Sequence, residues 1–270
     1  MNGKLAARGA VVTGAGRGIG AAIVARLMAD GAQVAALDLD QAAAASSGAN
    51  LALACDVADS ASVAAALAEA RAAFGRLDIA VNNAGIGRAP GDGSDEFYAA
   101  MAQRNAEIAE HGRSDVVADH LVHMGDDGWA GVLAVNLNGT FYVCREFARI
   151  ARTDGTPGTI INISSTSAQS GEGSVHYCTS KAAVIGLTRQ LARELAPRRI
   201  RVNAVAPGPT NTPIMQGIPE EWIASMGAAV PLGRMADPAE IAAAVAFLAS
   251  DDASYVTGSV LVANGGSYLF

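Results

Sequence analysis

Short apolar runs rich in valine, isoleucine and alanine recur at 10–12, 34–37, 51–54, 79–81, 159–163, 202–206 and 260–262. Being apolar throughout, they suit strands buried on both faces. Alanine-rich stretches of helical length separate most of them, and strand alternating with helix predicts a parallel sheet wound on both sides. Seven such strands make one doubly wound α/β domain over 1–270 with helices on both faces. The punctuation agrees. The helical segment 20–30 stops at Gly31, a residue suited to a left-handed end, and the segment 177–196 stops before Pro197. No internal repeat or low-complexity linker divides the chain.

One stretch breaks this rhythm. Residues 88–128 separate a strand from a helix and read as a helical insertion, with Ser94 as its cap, Phe97, Met101, Arg104 and Ile108 on one face, and Gly112 as its stop. The insertion holds nine acidic residues against three arginines, nearly all of the chain's net charge of −7. It leaves the carboxyl end of a strand, where open α/β sheets bind ligands, so it reads as a lid or an oligomer contact. The acidic excess either draws a cationic alcohol toward the site or is a solvated helix face. His111, His120 and His123 lie here, and His120-x-x-His123 is a possible metal pair, but no established ligand set completes it and no metal is expected.

Composition narrows the picture. With 270 residues, 51% hydrophobic and 17% charged, the chain can bury a large core, which excludes a disordered or fibrous protein. A mean hydropathy of +0.25 comes from dispersed alanine and valine, and no charge-free apolar stretch reaches the ~18–20 residues that span a bilayer, so no membrane partner is expected. The acidic balance lacks a basic cluster, which argues against nucleic acid. Cys55, Cys144 and Cys178 are odd in number and widely spaced. They read as reduced thiols, and with no secretory signal pattern the expected location is cytoplasmic.

The chemistry begins where strand 10–12 runs into Thr13-Gly14-Ala15-Gly16-Arg17-Gly18-Ile19-Gly20 and then a helix. Glycines here let the backbone turn tightly, admit a pyrophosphate and pack the helix close to the strand, while free N–H groups at the helix start face the phosphates. The second strand ends at Asp38, where a carboxylate can accept hydrogen bonds from adenosine ribose hydroxyls and would repel a 2′-phosphate. That favours NAD over NADP, although Arg17 in the loop partly offsets the repulsion. Farther along, Tyr177 and Lys181 are four apart on a helical segment and share a face. An ammonium beside a phenol favours phenolate and brings its pKa toward the working range of an acid/base.

These motifs resemble those of the short-chain dehydrogenase/reductase family. The carrying residues are Thr13-Gly14-x-x-x-Gly18-x-Gly20, Asp56-Val57, Asn82-Asn83-Ala84-Gly85, Asn136, Ser164-Ser165, Tyr177-x-x-x-Lys181 and Pro207-Gly208. The resemblance implies a Rossmann-type fold, a nicotinamide cofactor, reversible alcohol oxidation and commonly a homotetramer. It makes Tyr177 the general acid/base, Lys181 the holder of the nicotinamide ribose, and Asn136 a residue that distorts its helix and holds a water linking Lys181 to solvent. Ser165 would hydrogen-bond the substrate oxygen. The family's spacing to the tyrosine points to Ser164 and the second place in the serine pair to Ser165; Ser165 is preferred, because a one-residue loop deletion is easier to accommodate than a strand register shift.

The same resemblance makes Gly14, Arg17, Gly18, Ile19, Gly20 and Asp38 cofactor contacts. Asp56 and Val57 would meet the adenine, Asn83, Ala84 and Gly85 would wall the adenosine ribose, and Pro207, Gly208, Thr210 and Thr212 would form the carboxamide site. Met215, Trp222, Ile223 and Met226 would wall the substrate or pack in the core. The implied activity is an NAD-dependent oxidoreductase acting on a secondary alcohol or its ketone. A non-catalytic NAD sensor that binds a partner through the acidic insertion is the competing reading.

Overall fold

The computed structural model describes residues 3–212 and 220–269. Chain order gives β1 Gly9–Thr13, α1 Gly18–Ala29, β2 Gln33–Asp38, α2 Gln41–Ser46, β3 Leu51–Ala54, α3 Ser60–Phe74 and β4 Ile79–Asn82. After these come α4 Ser94–His111, α5 Asp126–Leu133, a π-helical turn at Ala134–Gly139, α6 Thr140–Asp154 and β5 Gly158–Ile163. The chain continues through α7 Ser167–Ser170, α8 Val175–Leu195, β6 Ile200–Pro207, α9 Glu220–Ala228, α10 Pro238–Ala249 and β7 Val260–Ala263. The seven strands form one sheet in the order β3-β2-β1-β4-β5-β6-β7. Every neighbouring pair is parallel.

Alternation within the apolar runs builds two cores. Ala10, Val12, Val34, Ala36, Ile79, Val81 and Ile161 face one side and pack with Ile23, Val24 and Leu27 of α1 and Ile241, Val245 and Leu248 of α10. Val11, Ala35, Leu37, Ala80 and Ile160 face the other, against Val63 and Leu67 of α3, Val143 and Phe147 of α6 and Leu195 of α8. Neither face of the central strands meets water, which is why their sequence carries no polar alternation.

The strand order reverses between β1 and β4: β2 and β3 lie on one side of β1, and after β3 the chain crosses back to lay β4 to β7 on the other. Loops leaving the carboxyl ends of β1 and β4 therefore diverge and open a crevice. One correction belongs to the insertion. Its long helix starts at Ser94 as expected, but the residue before it, Gly93, is the N-cap at φ 77°, and Asp92 accepts from the Ser94 amide at 2.9 Å. Ser94 is thus inside the helix, because the left-handed turn at Gly93 lets the Asp92 carboxylate do the capping. Gly112 ends the helix at φ 73°, as its position implies.

Close packing at the start of α1 has a sharp test. A Cβ on Gly20 would lie 2.0 Å from the Gly14 carbonyl oxygen and 2.7 Å from Asn83 Nδ2. Gly20→Ala should therefore cost about 2 kcal/mol or more, the upper part of the overpacking range, read as a fall in urea midpoint at unchanged slope.

Candidate active site

The crevice at the carboxyl ends of the strands is a cleft of about 1000 Å³. One end is made by the glycine loop, where Gly14 and Gly18 adopt φ of +60° and +55°, conformations that a side chain would disfavour. Thr13 ties this loop to the one after β4: its hydroxyl accepts from the Asn83 and Ala84 amides at 3.1 and 3.0 Å. The Asn83 carboxamide returns the contact, donating to the Thr13 and Gly14 carbonyls at 3.1 and 2.9 Å. Asn83 thus acts first as a brace for the glycine loop, while its surface still lines the cleft with Ala84 and Gly85.

At the end of β2, the two Asp38 oxygens accept from the Gly16 and Leu39 amides, each at 2.9 Å. A carboxylate oxygen has room for a second donor, so both can still face a ligand. Arg17, Ile19, Asp56 and Val57 line the same end, and Pro207, Gly208, Thr210 and Thr212 the opposite one. Of the residues expected at the site, Gly20 and Asn136 lie behind the lining. Gly20 contributes close packing and Asn136 contributes support.

That support is specific. The Asn136 side chain, fully buried, accepts from the Ile86 amide at 2.8 Å and donates to the Ile86 carbonyl at 2.9 Å and the Ser180 hydroxyl at 3.0 Å. It sits in the π-helical turn, so the helix is widened at the position expected. Opposite it, Gly85 has no room for a side chain without crowding: a Cβ there would be 3.1 Å from Lys181 Nζ and 3.3 Å from Asn136 Oδ1.

Helix α8 begins at Val175, with Ser174 as its N-cap, and brings Tyr177 and Lys181 to one wall. The Lys181 ammonium lies 5.7 Å from the Tyr177 ring centre and donates to the Ile163 carbonyl at 2.9 Å. Burial holds its pKa down to about 8. For Tyr177 the expected downward shift is not what the fold produces: burial pushes the phenol up, and its interaction with the Ser165 hydroxyl pulls the other way. Desolvation disfavours the phenolate more than the surroundings stabilise it.

The two serines face opposite ways. Ser164 donates to the Lys181 carbonyl at 2.8 Å from a buried position, whereas Ser165 lies beside the phenol and accepts from the Ser167 amide at 3.1 Å. Alternation at the end of β5 turns one hydroxyl into the helix packing and the other toward the phenol.

The insertion does not reach the cleft. The described lining passes from Ile86 to Val135 without a residue of 88–128, so the acids of the insertion do not line the cleft. Some of these acids have partners elsewhere: Asp95 with Arg88, Glu107 with Gln103 and Ser114, and Asp92 with Ala89, Ser94 and the distant His176. Sequence reading also missed Glu172, Gly173, Ala229 and Val230, which complete the open side of the cleft. They come from loops and helix ends with no motif to mark them. Met226 lines the cleft, Ile223 does not, and Met215 and the Trp222 side chain lie outside the described residues.

Comparison with known proteins agrees with this geometry. The profile of a family described as Enoyl-(Acyl carrier protein) reductase matches residues 14–112 and 105–268. The chain is 40% identical to a (3R)-3-hydroxyacyl-CoA dehydrogenase of Mus musculus, over 96% of each chain. It is 39% identical to the 3-oxoacyl-[acyl-carrier-protein] reductase FabG of Escherichia coli, over 96% of this chain and 97% of that protein. Among solved structures, a short-chain type dehydrogenase/reductase from Mycobacterium marinum superimposes with a TM-score of 0.81 at 32% identity, covering 98% of this chain and 97% of the other. The protein belongs to the short-chain dehydrogenase/reductase family of oxidoreductases.

Proposed function

We propose that the protein is an NAD-dependent oxidoreductase that interconverts a secondary alcohol and its ketone, with 3-hydroxyacyl and 3-oxoacyl thioesters as its substrate class. The observation that carries the reading is one cleft holding, at one end, a glycine loop with left-handed turns and, on its wall, Ser165, Tyr177 and Lys181 together. The substrate class is supported by the two relatives named above, both of which act on such acyl chains by name. A 3-hydroxyacyl group is itself a secondary alcohol.

The residues fit a dinucleotide. The cradle at Gly14 and Gly18 leaves backbone N–H groups open at the start of α1, and Asp38 presents carboxylate oxygens where an adenosine ribose would lie. When bound, the cofactor supplies the hydride acceptor or donor. Tyr177 exchanges a proton with the substrate oxygen, and Ser165 orients that oxygen toward the phenol. Lys181 contributes charge: a ribose hydroxyl pair would give its ammonium acceptors beyond the Ile163 carbonyl, its one hydrogen-bond acceptor among the described residues. Asn136 fixes the loop carrying Gly85 beside that ammonium.

Four outcomes test this reading. Tyr177→Phe should keep NAD binding and lose roughly 10²- to 10⁴-fold in kcat with a 3-hydroxyacyl thioester; NAD binding with no turnover of any alcohol or thioester by the unaltered enzyme would instead favour the sensor. Asp38→Ala should raise kcat/KM for NADP relative to NAD by about tenfold or more, because a like charge near the 2′-phosphate is removed.

Lys181→Met should abolish turnover and raise stability at pH 7 by about 1–3 kcal/mol, because a charge is no longer held in a site that disfavours it. The sign follows from a folded pKa of about 8, beneath the ordinary lysine value of 10.5. Below pH 8 the enzyme carries the full burial penalty, which fades as pH rises toward the unfolded value. The advantage of Lys181→Met should therefore shrink between about pH 8 and 10.5, as followed by denaturant midpoints of both proteins.

A further inference from the structure

Away from the cleft, the fold gathers three potential ligands that are far apart in the chain. His176 opens the second residue of α8, next to Tyr177, and its Nε2 lies 3.1 Å from Asp92 Oδ2, both side chains being buried. His120, from the irregular end of the insertion, packs its ring edge-on against His176 with centres 5.5 Å apart. One ligand atom from each of the three lies within 4.8 Å of the other two. We propose that Asp92, His120 and His176 form a binding site for a divalent transition-metal ion of zinc's ligand preference, pinning the insertion to the start of the catalytic helix.

His120 is the observation that asks for a ligand. Both its ring nitrogens are shielded from solvent and neither has a hydrogen-bond partner among the described residues. A buried polar atom left without a partner is costly, and the ring's contacts with Phe97 and His176 are edge contacts that give its nitrogens nothing. A metal ion between His120 and the other two would use one of those nitrogens.

The remaining groups are arranged as supports of a metal site. His176 Nδ1 is 3.0 Å from the Ser174 hydroxyl. With its proton on Nδ1 and donated to Ser174, the imidazole presents a lone pair at Nε2, aimed at the Asp92 carboxylate. Without a cation the other tautomer donates Nε2–H to Asp92 in an ordinary hydrogen bond; with an ion between them the Nδ1 tautomer frees Nε2 as a ligand, the way a metal-bound histidine ordinarily donates its other nitrogen's proton. Asp92 is fixed by the Ala89 and Ser94 amides at 2.9 Å each. The 3.1 Å between His176 Nε2 and Asp92 Oδ2 is near the roughly 3.3–3.5 Å edge of a tetrahedron with zinc bonds of about 2.0–2.2 Å, and His120 closes the third corner by side-chain rotation. Three protein ligands leave a fourth position for water. His123, the partner that sequence spacing would choose, is not part of the cluster.

The full-length protein, stripped with a chelator and dialysed against zinc sulfate, should retain one equivalent of Zn²⁺ per chain by elemental analysis and melt at a higher temperature. Of its four histidines, two should show shifted ring signals in long-range ¹H–¹⁵N spectra. These should remain and shift in His111→Ala and His123→Ala. His120→Phe keeps the ring contacts and removes the nitrogens, and should weaken zinc binding at least tenfold. No retained zinc, ring shifts confined to His111 or His123, or undiminished binding by folded His120→Phe would each overturn the site. Should His120→Phe fail to fold, the ring shifts in the unaltered protein decide the matter alone. Zinc retention is read without turnover, so it stands or falls separately from the proposed activity.

Discussion

The Lys181 ammonium reaches the Ile163 carbonyl at 2.9 Å from within a wall that leaves it almost no solvent, and neither end of that bond moves independently. Ile163 ends β5, the strand paired to both β4 and β6, while Lys181 belongs to the helix packed behind them. Holding a charge in such a place is costly, and the surroundings are built to tolerate it. Gly85 leaves space beside it, Asn136 anchors the loop that carries Gly85, and Ser164 fixes the helix turn by bonding the carbonyl of Lys181 itself. The fold spends rigidity here, at the wall where Tyr177 and Ser165 meet.

The other end of the cleft depends on a different economy. Thr13 and Asn83 bond across β1 and β4, strands that are neighbours in the sheet and far apart in sequence. Their reciprocal bonds satisfy the backbone of two loops without any ligand, so the glycine turn is already shaped before a phosphate arrives. Asp38 extends the same lattice by bonding Gly16.

The sheet was legible because its strands are buried twice over: an unbroken apolar run such as Ala10-Val11-Val12 has few other uses when glycines and a helix follow it. The site residues were legible where chemistry demands a residue type at fixed spacing, as with Tyr177 and Lys181 on adjacent turns of α8. What escaped had no local signature. The upward push on the Tyr177 phenol depends on how many neighbours bury it, which spacing does not record. Ser94 has the composition of a cap, yet Gly93 takes that place because a left-handed turn puts Asp92 in reach. The His176 and Asp92 pairing joins positions 84 residues apart, a distance that no local spacing marks.

The wide turn at Ala134–Gly139 links α5 to α6 through backbone that has not been wound at the ordinary pitch. Such a bulge amounts to about one additional residue in a helix that otherwise advances roughly 100° per residue. It therefore sets the angular phase between everything before it and everything after it. Shortening the segment by a single residue would rotate α6 by close to a third of a revolution and swing Phe147 off the sheet, so the bulge that aims Asn136 at the loop also aims an entire hydrophobic face at the sheet.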